Sequence, residues 1–214
     1  MLKFIGYTLL LVGAIVLVMT GYQFYQSEAK SDNLLEEANA MLAEEKNNSN
    51  TSDTANAENN KPEDASQSDG KEVNNANVVN AGTFEEGELV GILRIPAIEL
   101  EVPISEGTAP QELKSGVGHE TSSSLPGEDK QVFLAGHNDS TFRRAGELKN
   151  GDELIIETSQ GSFSYTMYAH DIVHESRTDV ITPGDSESLV LMTCYPFTGI
   201  GSPTERYLIY AKPN

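Results

Sequence analysis

The sequence predicts an all-β domain over 84–214, a closed or nearly closed barrel or a sandwich. Two observations carry that prediction. Runs of strand length, mostly rich in β-branched or aromatic residues, recur at near-regular spacing, at 89–95, 98–104, 131–135, 153–157, 163–169, 188–194 and 206–211. Gly, Pro, Asn and Asp separate these runs, and only 113–117 and 141–148 have the pattern for a helical turn or two. A single core is sufficient at this length.

The rest of the chain has a different composition. Residues 4–27 form an uncharged run rich in Leu, Val, Ile and Gly, preceded only by Lys3 and the terminal amine. About 20 such residues cross the hydrocarbon core of a bilayer, so 1–27 is expected to be a transmembrane anchor. A cleaved signal peptide is the alternative, since Ser27-Glu28-Ala29 offers small residues at the cleavage spacing, but the apolar run is longer than a usual signal core and ends before Ala29. Lys3 and the amine on one side, against the more distant Lys30, set the N-terminus inside and the remainder outside. Residues 28–83 are dominated by Asn, Glu, Ser, Asp and Ala and lack the apolar surface that would offset ordering. They read as a stalk, in which Leu34, Leu35, Met41 and Leu42 mark one short amphipathic helix that is marginal alone.

Charge and composition exclude several function classes. The net charge of -19 repels phosphate backbones, and the chain has no basic stripe with interleaved aromatics, so nucleic acid is not an expected partner. Close His/Cys pairs for zinc, an EF-hand loop and a glycine-rich phosphate loop are all missing from the sequence. Glu85, Glu86 and Glu88 could collect calcium, but they read better as a solvated acidic face. No metal or other cofactor is expected, and calcium dependence stays open.

Cys194 is the only cysteine, so it has no intramolecular disulfide partner, and an unpaired thiol in an exported chain invites a chemical explanation. The bland explanation is a small buried hydrophobe. However, Cys194 ends the run that starts at Ser188, and Tyr195-Pro196-Phe197 breaks the strand just after it. Cysteine catalysis needs a stabilised thiolate, a proton donor or acceptor, and a cationic or donating group for the oxyanion. Among four histidines, His137 follows a strand end and a flexible Gly136, and His119 lies in a turn-like Gly116-Val117-Gly118-His119; His170 and His174 fall in a polar stretch after the 163–169 run. Arg206 opens the last strand, where a salt bridge to Glu205 or another surface acid is its ordinary explanation.

These residues stand in a familiar order. Leu191-Met192-Thr193-Cys194 with Arg206 opening the next strand, Leu134-Ala135-Gly136-His137, Ile92-Leu93-Arg94-Ile95-Pro96 and Ser124-Leu125-Pro126-Gly127 resemble the signatures of the sortases. The resemblance spans essentially all of 84–214. It implies a closed or nearly closed barrel of about eight strands with short helices, with Cys194 as nucleophile, His137 as general acid/base and Arg206 as the group that positions substrate and stabilises the oxyanion. His119 matches a position the family uses structurally. Tyr195-Pro196-Phe197, Gly201-Ser202-Pro203 and Glu205-Arg206-Tyr207 look most like class D members. Val190 and Asn138 stand where the family often has Thr and Arg; a Val suits a buried strand, and Asn138 bears on the mouth of the site.

The resemblance implies partners as well. An exported protein would present a Leu-Pro-x-Thr-Gly-like sorting signal, with Gly, Ala or Ser last, and a peptidoglycan precursor amine would accept the acyl group. L,D-transpeptidases often carry Ser-His-Gly-Cys, which this chain lacks. A tethered extracytoplasmic β-domain that binds a cell-wall or protein ligand, with an inert Cys194, is the alternative from another class.

Overall fold

Side-chain alternation decides which way each strand faces, and strand pairing then decides which side chains become neighbours. The computed structural model describes residues 11–20, 30–43, 84–182, 186–197 and 203–214. Its eight strands are β1 (Leu89–Ile95), β2 (Leu100–Glu106), β3 (Val117–His119), β4 (Gln131–Ala135), β5 (Glu153–Thr158), β6 (Gly161–His174), β7 (Ser188–Tyr195) and β8 (Glu205–Pro213). They close into a barrel in the order β1-β2-β3-β4-β7-β8-β6-β5. The pairs β2/β3 and β4/β7 are parallel and the others antiparallel. Within the barrel domain, short helices are confined to connections, at Pro96–Ile98, Pro110–Leu113 and Ala145–Glu147. The barrel alternative is therefore the observed one, and the sandwich is not.

Three elements depart from the sequence expectation. The second strand starts at Leu100 because Pro96 opens a 3-10 turn and Glu99 leaves it in the left-handed region at φ 53°. The turn expected at 113–117 is split: a one-turn helix ends at Leu113, and Val117–His119 is a strand. Two glycines around Val117 hide that strand from any propensity count, and its pairing with β2 and β4 creates it. Last, β6 continues to His174, so His170 and His174 are strand residues. The polar residues of that extension are held by the long ladder from Tyr165↔Pro213 to His174↔Glu205.

The interior is filled by one face of each strand, including Leu93, Leu134, Ile156, Leu189, Leu191 and Ile209. A second cluster lies on the opposite face of β4, β6, β7 and β8, where Phe133, Val173, Val190 and Leu208 pack under Val180 and Ile181 from the β6–β7 connection. Of the expected anchor, only 11–20 falls within the described residues; it is helical, with Leu11, Leu17 and Val18 exposed. Among the described residues no helix is long and apolar enough to cross a membrane. Residues 30–43 are helical, and the rest of the 28–83 stalk lies outside the described residues. That helix has tertiary contacts: Ala38 is buried, and the Arg94 guanidinium donates to the Asn39 amide oxygen at 3.0 Å while pairing with Glu101 and Glu157 on neighbouring strands.

Among the described residues, the most enclosed ion pair is Glu106 with His119, at 2.7 Å. His119 Nδ1 faces the Glu106 carboxylate and Nε2 faces the Ser124 carbonyl at 3.0 Å, so two acceptors call for a ring protonated on both nitrogens. Burial opposes that charge, but the hydrogen bond and field of Glu106, with Ser124 and Glu120, outweigh it and hold the His119 pKa above its ordinary value. A histidine raised in this way stabilises the fold fully below its unfolded pKa, and the contribution is lost as pH rises through the native pKa. Denaturant unfolding should accordingly show stability falling as pH rises from about 6 through neutrality. Glu106→Gln should cost about 3 kcal/mol at the acidic end and flatten that slope, and an unchanged slope would contradict the pairing.

Candidate active site

The strand period places the nucleophile candidate. Along β7, Leu189 and Leu191 point into the interior while Val190 and Met192 belong to the outer cluster, so Cys194 continues the outer face. Its thiol is free and half-buried. Along β8, Tyr207, Ile209 and Ala211 point inward and Leu208 outward, so Arg206 shares the face of Cys194. The two stand directly opposite each other in the antiparallel ladder, as Cys194↔Arg206. The thiol therefore lies one strand away from a permanent positive charge.

His137 comes from the other neighbour of β7. The parallel β4/β7 ladder runs to Ala135↔Met192, and the Gly136 N–H extends it by donating to the Met192 carbonyl at 3.0 Å. Continuing that register by one more residue sets the 137 backbone alongside 194. Gly136 is required for this path: a Cβ there would lie 2.7 Å from the buried Phe142 ring and 3.3 Å from Val117. The His137 carbonyl accepts from the Phe142 N–H at 2.8 Å, which turns the chain away after the histidine. Asn138 closes the gap to β7, its amide donating to the Pro196 carbonyl at 2.9 Å.

Below this face the barrel mouth is stoppered by aromatic rings. Tyr195 meets Phe197 edge-on at 5.7 Å, Phe197 meets Tyr207 at 5.1 Å, and His170 stacks on Tyr207 at 5.2 Å. The outer apolar cluster, covered by Val180 and Ile181, runs along β4 and β7 toward Cys194.

The three residues singled out by sequence thus share one rim, formed by the ends of β4 and β7 and the start of β8. His119 is elsewhere, paired with Glu106. His170 lies in the aromatic stopper, and His174 bonds the Ser176 hydroxyl at 2.9 Å in a surface turn. Among the described residues no group of three or more His, Cys, Asp and Glu side chains converges on a metal position. One polar residue at the rim has no counterpart in the sequence reading: Glu175, which binds the Arg206 guanidinium at 3.0 Å from 31 residues away. Asn138, a departure from the family pattern, does lie at the mouth of the site. Glu175 carries no local sequence signal, because its partner is distant in the chain.

Comparison with known proteins agrees with this architecture. A family model described as "Sortase domain" matches residues 93–214. Sortase D of Bacillus subtilis (strain 168) is 35% identical over 215 residues, covering 99% of this chain and 98% of that protein. Among solved structures, the Sortase D5 transpeptidase of Clostridium perfringens superposes with a TM-score of 0.56 at 26% identity, covering 62% of this chain and 82% of that one. Sortase C of Clostridium perfringens with the C-terminal cell wall sorting motif gives 0.55 at 31% identity, covering 61% and 72%. With a family match over most of the barrel and a relative aligned along nearly the whole length, the chain belongs to the sortases, a family of cysteine transpeptidases.

Proposed function

We propose that this chain is a membrane-anchored sortase that cleaves a Leu-Pro-x-Thr-Gly-like sorting signal after Thr and transfers the exported protein to a peptidoglycan amine. The observation that carries this reading is the rim on which Cys194 and Arg206 face each other across β7 and β8, with His137 following the parallel neighbour β4. The Sortase D relative and the sortase C structure with a sorting motif support the substrate class. The apolar run at 4–27 supports an uncleaved anchor with the N-terminus cytoplasmic and the barrel, 84–214, outside the membrane. Residues 28–83 link the two.

Each rim residue has a role that its chemistry suits. The Cys194 thiolate attacks the carbonyl carbon of the Thr, and the resulting oxyanion faces the Arg206 guanidinium. As the C–N bond breaks, imidazolium at His137 gives its proton to the leaving amine, and a thioester remains on Cys194. The acceptor amine then attacks the thioester; its proton passes to the neutral His137 and the thiolate leaves.

Incubation of the full chain in detergent with a Leu-Pro-x-Thr-Gly peptide library and an amine should give cleavage after Thr and an amide product, and Cys194→Ala should abolish both. Cleavage that survives this substitution, or no cleavage of any peptide, contradicts the assignment. Asn138→Ala removes the bond that ties the loop after His137 to the one after Cys194. It should lower kcat by roughly two- to tenfold, the worth of one net hydrogen bond, with the melting temperature nearly unchanged.

A further inference from the structure

We propose that Glu175 is a positioning residue for the transpeptidation, holding the Arg206 guanidinium in the orientation in which it meets the oxyanion. The proposal rests on the assignment of Arg206 to the active site given above. Arg206 has five N–H donors, and three are engaged. Nη1 donates to the carbonyls of Pro203 at 3.0 Å and Glu205 at 3.1 Å, and Nη2 donates to Glu175 Oε2 at 3.0 Å. Among the described residues, Nε–H and one Nη2–H are left without a protein partner, which is the number a single oxyanion can use.

The carboxylate is itself held in place. The Glu175 N–H donates to the Thr204 carbonyl at 2.8 Å, extending the β6/β8 ladder by one step beyond His174↔Glu205. A turn closes behind it, with the Arg177 N–H donating to the His174 carbonyl at 2.9 Å and the His174 ring meeting the Ser176 hydroxyl. Arg206 therefore stands between two strands with different tasks: β7 presents Cys194 on one flank, and β6 delivers Glu175 on the other.

Stability does not explain the pair. The side chains are 24% and 44% exposed, and ion pairs of that exposure add little to folding. What the pair removes is rotamer freedom. A long side chain that is ordered only in the transition state takes its ordering entropy out of the rate, whereas one already anchored at three donors does not. Glu175 also leaves the positive charge in place, because a guanidinium stays protonated.

The test is a double-mutant cycle on Glu175 and Arg206 in the full chain, with kcat and KM measured on the peptide identified by the library cleavage. Glu175→Ala should lower kcat roughly tenfold with KM and melting temperature nearly unchanged. Glu175→Gln, which keeps an acceptor at the same reach, should restore part of the loss. In an Arg206→Ala background, Glu175→Ala should cost nothing more. Three results would overturn the proposal: an unchanged kcat in Glu175→Ala, a raised kcat (the carboxylate then competes with substrate for Arg206), or an equal loss in both backgrounds. Full activity in Arg206→Ala alone would instead remove the active-site assignment of the arginine.

Discussion

Everything at the rim depends on the register of β7 between its two neighbours. Because side chains alternate with a period of two, a one-residue slip of β8 against β7 would turn Arg206 toward the barrel interior and bring Tyr207 or Glu205 opposite Cys194. The pairing is fixed by burial: Leu189, Leu191, Tyr207 and Ile209 face one way and Val190, Met192 and Leu208 the other, and both faces are covered. Two-sided packing leaves no inexpensive alternative register. The same strand on its other edge pairs in parallel with β4, and this brings the segment after Gly136 to the level of Cys194. The hydrophobic pattern of three strands thereby positions three polar groups that make no regular structure of their own.

The polar pairs divide into two kinds. The Glu106–His119 pair is buried, satisfied on both ring nitrogens, and removed from the thiol, so its service is to the barrel. The Glu175–Arg206 and Asn138–Pro196 contacts are exposed, contribute little to folding, and sit one residue or one strand from the groups proposed to react. That distribution matches a site whose scaffold is set by apolar packing and whose fine alignment is set by a few surface hydrogen bonds.

Much of the fold was legible in the sequence, for a definite reason. β1, β4, β5, β7 and β8 are half- or fully buried strands of ordinary composition, and their runs stand out at nearly their observed bounds. β3 did not, since Gly116 and Gly118 flank its one apolar residue and only pairing makes it a strand. The end of β6 did not either, because His170, Asp171 and His174 look like a loop until β8 is laid beside them. At the candidate site, the strand ends at Cys194, His137 and Arg206 were legible from the local pattern, but it was the resemblance to the sortases that preferred His137 over His119 and gave Arg206 a role. Glu175 was not legible: its partner is 31 residues away, and an acid in a surface turn has no local distinguishing mark. Asn138 was visible as a departure from the family pattern, but its bond to Pro196, 58 residues on, was not.

The central claim is that the outer-face thiol at the end of β7 becomes acylated. Mixing the protein with a Leu-Pro-x-Thr-Gly peptide in the absence of an acceptor amine, then mapping the digested protein by mass spectrometry, tests it directly. The account predicts a thioester adduct on the Cys194 peptide, ending at the Thr of the substrate and discharged by added amine. Turnover of the peptide with no adduct on Cys194, or with the adduct on another side chain, would contradict it.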